Sequence, residues 1–189
     1  MGDSMKASEY KEHWMKRKVW NRLTRPQHQS RLKWCASECV GETFADIGCA
    51  CGHSTAIMEK AKAGKWTGID FDPEIISQAR IFFPNMTFYP LAEVSNLHSL
   101  GKFDSVVCSE VIEHVPDDRE LVAQLWGIAD KKMILTTPNR FVDDPGHLRV
   151  YGMKKLQRIF NTDALGQDAI IKIESVGRFW HITVERREV

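Results

Sequence analysis

No stretch of this 189-residue chain approaches the roughly 20 consecutive apolar residues needed to cross a bilayer as a helix, so a helical membrane span is not expected. Its polar first residues do not form the apolar core of a secretory leader, and the expectation is a cytoplasmic protein. Paired C-x-x-C sets are missing. An odd count of five cysteines fits a reducing compartment better than a disulfide framework. Cys49-x-Cys51 alone lacks the further ligands that zinc needs. There is no internal repeat, no low-complexity tract and no G-x-G-x-x-G run. Little net charge remains, only +1, but it is unevenly spread. Residues 1–33 hold nine basic and three acidic residues, an excess of six, which leaves an excess of five negative charges on the rest. That basic segment reads either as a solvated helix face or as an arm that meets an anionic substrate.

What is present is a globular composition, 43% hydrophobic and 27% charged, in a length suited to one domain with a substantial core. Tyr10, Trp14, Met15 and Val19 recur at helical spacing, and Pro26 suits the first turn of a second helix running to about Val40 with Gly41 as its stop. An alternation of strands and helices follows. Strands are expected at Thr43–Ile47, Trp66–Phe71, Met86–Tyr89, Phe103–Cys108 and Met133–Thr137. Helices are expected at Ser54–Ala63, at Pro73–Phe82 and after an Asp117 N-cap, where Leu121, Leu125 and Ile128 share a face. Beyond Pro138 come a polar loop, a helix from about Gly152 to Phe160, and two strands, Ala169–Val176 and Phe179–Glu185, joined tightly enough at Gly177 to be antiparallel.

The chemistry concentrates at strand ends. An apolar strand closes on Asp46 and turns through Gly48, Cys49, Ala50, Cys51 and Gly52 into a helix whose free N–H groups face any ligand in the loop. The next strand closes on Asp70, where an open α/β sheet presents an acid to ribose hydroxyls. A carboxylate beside the loop repels a pyrophosphate and suits a ligand carrying an ammonium group.

Together with Phe103-Asp104-Ser105-Val106-Val107-Cys108-Ser109-Glu110-Val111-Ile112-Glu113-His114 and Met133-Ile134-Leu135-Thr136-Thr137-Pro138-Asn139, these residues resemble the ordered motifs of class I S-adenosylmethionine-dependent methyltransferases. The resemblance covers about residues 26–189, leaving residues 1–25 as an N-terminal helical arm or lid. It implies a Rossmann-like, seven-stranded, mostly parallel sheet with one antiparallel strand beside the fifth and helices on both faces. It implies S-adenosylmethionine as cofactor, with Asp46 toward the methionyl amino group and Gly48, Cys49, Ala50 and Gly52 lining that moiety. Asp70 would take the ribose hydroxyls, Phe71 would flank adenine, and Ser109 would stand at the cofactor side of the fourth strand. Leu91 occupies a position where many members carry an aspartate for the adenine amino group, so the Ala92 backbone or Glu93 would serve instead.

On the acceptor side, Glu110-x-x-Glu113-His114 begins where the fourth strand ends, and His147 follows the fifth strand. Similar runs occur in ubiquinone-biosynthesis-type O-methyltransferases and in small-RNA 2′-O-methyltransferases, where such residues bind a divalent ion. Three roles stay open for Glu110, Glu113, His114 and His147: ligands of magnesium, manganese or zinc, a general base centred on His114, or hydrogen bonding that holds the strand-four turn. The expected activity is O-methylation of a small polar acceptor. The alternatives are a metal-dependent RNA or ribose 2′-O-methyltransferase and a non-catalytic cofactor-binding subunit.

Overall fold

The computed structural model describes residues 19–187, with side chains from residue 22 onward. The helix expected over residues 10–19 lies outside them, apart from its last residue. Five strands, β1 (Thr43–Ile47), β2 (Lys65–Asp70), β3 (Thr87–Pro90), β4 (Phe103–Ser109) and β5 (Ala129–Pro138), run parallel; β6 (Ala169–Val176) and β7 (Phe179–Arg186) form the terminal hairpin. The sheet order is β3-β2-β1-β4-β5-β7-β6, and β7 is antiparallel to both neighbours. The seven-stranded, mostly parallel sheet with one antiparallel strand beside the fifth is thus as expected.

Strand alternation sorts side chains onto two faces. Phe44, Val107 and Ile134 point to one side, into a core with Leu32, Cys35 and Ala36 of α1 (Pro26–Glu38) and Met58 of α2 (His53–Ala61). Ala45, Ile47, Val106, Cys108, Met133 and Leu135 point to the other, against α4 (Asp118–Ile128), α5 (Met153–Ile159) and α6 (Thr162–Leu165). Helix α3 (Pro73–Phe82) seals the outer strands through Ile76 and Ala79, which pack with Phe88 of β3. Because helices cover both faces, the central strands are apolar almost throughout, as parallel strands buried on two sides must be.

The helix starts are set locally. Asp72 accepts from the amides of Glu74 and Ile75, and Asp117 from those of Arg119 and Glu120, so each carboxylate satisfies orphan donors of the first turn. Three features depart from the pattern. β5 begins four residues earlier than its apolar run, because Lys132 is paired with Glu38 at 2.8 Å and Glu185 at 3.5 Å and so can sit 9% exposed inside a strand. Val19–Thr24 and Val94–Leu100 form 3-10 turns, and Thr162–Leu165 a short helix, all too short to carry a readable periodicity. Arg31 is not on a solvated face: it is 5% exposed, on the same side of α1 as Leu32 and Cys35.

The loop after β5 is fastened onto the loop after β4. Leu148 N–H donates to the Glu113 carbonyl at 2.9 Å, and Arg149 reaches Asp118 Oδ2 at 2.8 Å and the Pro116 carbonyl at 2.8 Å. The buried Tyr151 hydroxyl donates to the Ile112 carbonyl at 3.1 Å. These ties bring residues 144–149 against residues 110–118, which the chain separates by a strand and a helix.

Candidate active site

The strands β1, β2, β4 and β5 all end at one edge of the sheet, where the exits of β1, β2 and β4, with Leu23, Arg31 and Leu32, surround a cavity of about 600 Å³. Gly48 N–H and Cys49 N–H both donate to the Ile69 carbonyl, at 2.8 and 3.0 Å, which folds the β1 exit back on β2. Gly48 has φ of +80°, and a Cβ there would collide with a Val111 methyl, so the turn requires glycine on both counts. Ala50 tolerates a φ of +46° with only a methyl to accommodate, and its N–H donates to Asp70 Oδ2 at 2.9 Å. Asp70 Oδ1 accepts from Asp72 N–H at 3.1 Å. Asp70 therefore organises the loop as well as lining the cavity; burial pushes its pKa upward against these stabilising amides.

Asp46 lies behind the wall. It is 1% exposed, and its Oδ2 accepts from the hydroxyls of Ser54 at 2.8 Å and Thr55 at 2.7 Å. Ser54 lines the cavity and Asp46 does not. Burial raises the Asp46 pKa to about 6, partly offset by the two hydroxyls. Gly48, Cys49, Ala50, Asp70, Phe71 and Ser109 line the space, whereas Gly52, expected beside them, is not among the lining residues. Ala92 and Glu93 are exposed and are not among the lining residues. Leu91 is 7% exposed within the core, so its side chain packs rather than faces a ligand.

A second cavity of about 490 Å³ adjoins the first. Leu23, Arg31, Glu110 and His114 border both. At this junction Arg31 Nη1 lies 3.1 Å from Glu110 Oε1 and 3.3 Å from Thr136 Oγ1, and Ser109 Oγ and Thr136 Oγ1 are 2.8 Å apart. Glu110 holds a φ of +62°, rare for a side chain with a Cβ, and its N–H donates to the Thr136 carbonyl at 2.9 Å.

Glu113, His114 and His147 converge: one ligand atom from each lies within 4.8 Å of the others. Glu113 is fully buried, its Oε2 accepting from Thr137 Oγ1 at 3.0 Å and its Oε1 without a hydrogen-bond partner, 4.0 Å from His147 Nε2. Burial drives its pKa well above the usual carboxylate range. His114 Nδ1 is 2.8 Å from the Gly146 carbonyl and therefore carries the proton, leaving Nε2 as the basic atom; burial and the His147 ring lower its pKa to about 4. Glu110, expected as a fourth ligand, is not in this group, because its carboxylate is turned to Arg31 and Thr136.

Reading the sequence for sites missed Arg31, Leu23 and Thr136. The available signal for Arg31 was a lone cation in the apolar stripe of α1, since an unpaired charge rarely occupies such a position.

Residues 44–129 match the family model described as a methyltransferase domain. A trans-aconitate 2-methyltransferase of Escherichia coli K12 is 29% identical over 110 residues, 57% of this chain and 43% of the relative. One from Escherichia coli O1:K1 / APEC is 33% identical over the same length. The chain thus spans less than half the length of these relatives. Magnesium protoporphyrin IX methyltransferase from Synechocystis PCC 6803 with bound SAH superposes with a TM-score of 0.66 at 17% identity, covering 84% of this chain and 83% of that one. The complex of the Haloferax volcanii Trm112 activator with a putative methyltransferase gives 0.73 at 11% identity, covering 93% and 97%. The structural likenesses establish the fold. The domain match adds to this, for residues 44–129, a likeness to methyltransferase domains.

Proposed function

We propose, on the premise that this chain carries an S-adenosylmethionine-dependent methyltransferase domain, that it transfers the methyl group to an oxygen of a small polar acceptor. The observation that carries the reading is the meeting of two cavities at Arg31, Glu110 and His114, one walled by the glycine loop and Asp70, the other open to an acceptor. A stand-alone binding subunit would have no need of the second. The sulfonium supplies both the methyl group and its leaving group, so the protein's task is alignment and exclusion of water.

The residues suit that task. Asp70 would accept from the ribose hydroxyls, the Gly48–Gly52 backbone would line the methionyl moiety, and Ser54, backed by Asp46, would meet its ammonium group. Phe71 would flank the adenine. A glycine at position 48 leaves room that any side chain would fill. In a thermal melt, S-adenosylmethionine and S-adenosylhomocysteine should raise the midpoint by mass action while NAD should not. Stabilisation by NAD without stabilisation by S-adenosylhomocysteine would sink this reading.

A second reading has its own support. The orphan Oε1 of Glu113, with His114 and His147 beside it, is a donor set suited to manganese, magnesium or zinc. Such an ion would lower the pKa of a bound hydroxyl, the chemistry a ribose acceptor needs. Loss of turnover with chelator and recovery with manganese would favour it over the metal-free enzyme.

A further inference from the structure

Five arginines border the second cavity: Arg22, Arg25, Arg31, Arg140 and Arg178 sit around a space that also holds His28. Three carboxylates share the wall, Glu110, Asp143 and Asp144. Two of these are matched, Glu110 to Arg31 at 3.1 Å and Asp144 to Arg22 at 3.5 Å. Arg25, Arg140 and Arg178, all solvent-exposed, form no side-chain hydrogen bond or ion pair among the described residues, leaving a surplus of two positive charges around one open cavity. Arg31, its side chain only 4% exposed, keeps a buried Nε–H with no partner. His28 registers the same field. Its Nδ1 is buried without a partner, and its pKa falls to about 4 through burial and then the charges of Arg31, Arg25, Arg22 and Arg178.

We propose that the acceptor is a small di- or tricarboxylate, methylated on a carboxylate oxygen. The inference rests on the methyltransferase reading above and names its substrate class. Guanidinium groups pair carboxylates in a two-pronged geometry, and several converging on about 490 Å³ fit a compact polyanion better than the extended track a polynucleotide needs. The chemistry agrees. A carboxylate is already ionised near neutrality and needs no base to attack the methyl group, whereas an alcohol would need one. A lone pair of the carboxylate oxygen forms the new O–CH3 bond as the C–S bond breaks with its electron pair passing to sulfur. Anion and sulfonium become a neutral ester and a neutral thioether, and no proton moves. Loss of opposite charges is favoured where water is excluded.

The test titrates the full chain, saturated with S-adenosylhomocysteine, with propane-1,2,3-tricarboxylate, its uncharged triamide and a short single-stranded RNA. The tricarboxylate should bind, more weakly as salt rises, and at least about tenfold more tightly than the triamide. Arg140→Gln and Arg178→Gln should each weaken it about tenfold, the loss of about 1.4 kcal/mol, with S-adenosylhomocysteine affinity unchanged. Methyl groups transferred to the tricarboxylate should be released as methanol by alkali, as from an ester. Equal binding of triamide and triacid, RNA binding abolished by the arginine substitutions, or no binding of any probe beside intact S-adenosylhomocysteine binding would each overturn the carboxylate and leave the methyltransferase reading standing. Failure of S-adenosylhomocysteine itself to bind would overturn both.

Discussion

Arg31 Nη1 stands 3.1 Å from Glu110 Oε1, a helix cation against a strand-end carboxylate, where the two cavities meet. The pair joins α1 to the exit of β4 and accounts for the unusual backbone of Glu110, whose φ of +62° brings the carboxylate to the guanidinium. Removing the acid should strand a buried cation. Glu110→Ala is expected to cost about 1–3 kcal/mol in urea denaturation, the range for a buried polar group left without its partner. A double substitution with Arg31→Met should cost less than the two single changes added together, because the pair acts as a unit.

The pH dependence of cofactor binding should follow Asp46. Its folded-state pKa of about 6 stands above the unfolded value of 3.8, so its contribution to folding is present below the unfolded value and is lost as pH rises through about 6. Binding has the opposite sign, because an ammonium group prefers the ionised carboxylate. Calorimetry with S-adenosylhomocysteine should show affinity falling about tenfold between pH 7.5 and pH 5. In Asp46→Asn this slope should vanish.

Asp70 holds the loop through two amides, Ala50 N–H at 2.9 Å and Asp72 N–H at 3.1 Å. Asp70→Ala should therefore weaken S-adenosylhomocysteine by about 1–3 kcal/mol and also speed amide exchange at Ala50. A loss of affinity with unaltered exchange would mean that Asp70 acts on ligand alone.

Leu91→Asp should destabilise the fold rather than improve the cofactor site. Leu91 is 7% exposed in the core beneath α4, and an unpaired carboxylate there costs several kcal/mol or must take up a proton. Denaturation curves of the variant with and without S-adenosylhomocysteine check both halves of this expectation.

Manganese affinity can separate the acidic residues of the acceptor side. If an ion is bound, Glu113→Gln, His114→Ala and His147→Ala should each reduce it by at least about tenfold, since each removes one donor from a set of three. Glu110→Gln should leave it unchanged. Loss of manganese in the Glu110 variant would place that carboxylate back among the ligands.

How much was legible beforehand follows from the range of the forces involved. Strands β1 and β2, helix α3 and the Asp117 cap were readable because apolar runs, glycines and capping carboxylates act within a few residues. The same local code carried the glycine loop, Asp46 and Asp70. Lys132 hid the start of β5, since its burial depends on Glu38 and Glu185, each more than fifty residues away.

The amino-acid sequence by itself determined the alternating architecture, the glycine loop and the acids at the two strand ends beside it, all consequences of short-range pattern and backbone freedom. Only the tertiary structure decided that Arg31 is buried, that Glu110 belongs to it and not with Glu113, His114 and His147, and that arginines from both ends of the chain face one cavity. Those outcomes depend on which charges meet across the folded molecule. Charge pairing works through space, where residues 31 and 110, or 22 and 144, become neighbours only after the sheet has assembled between them.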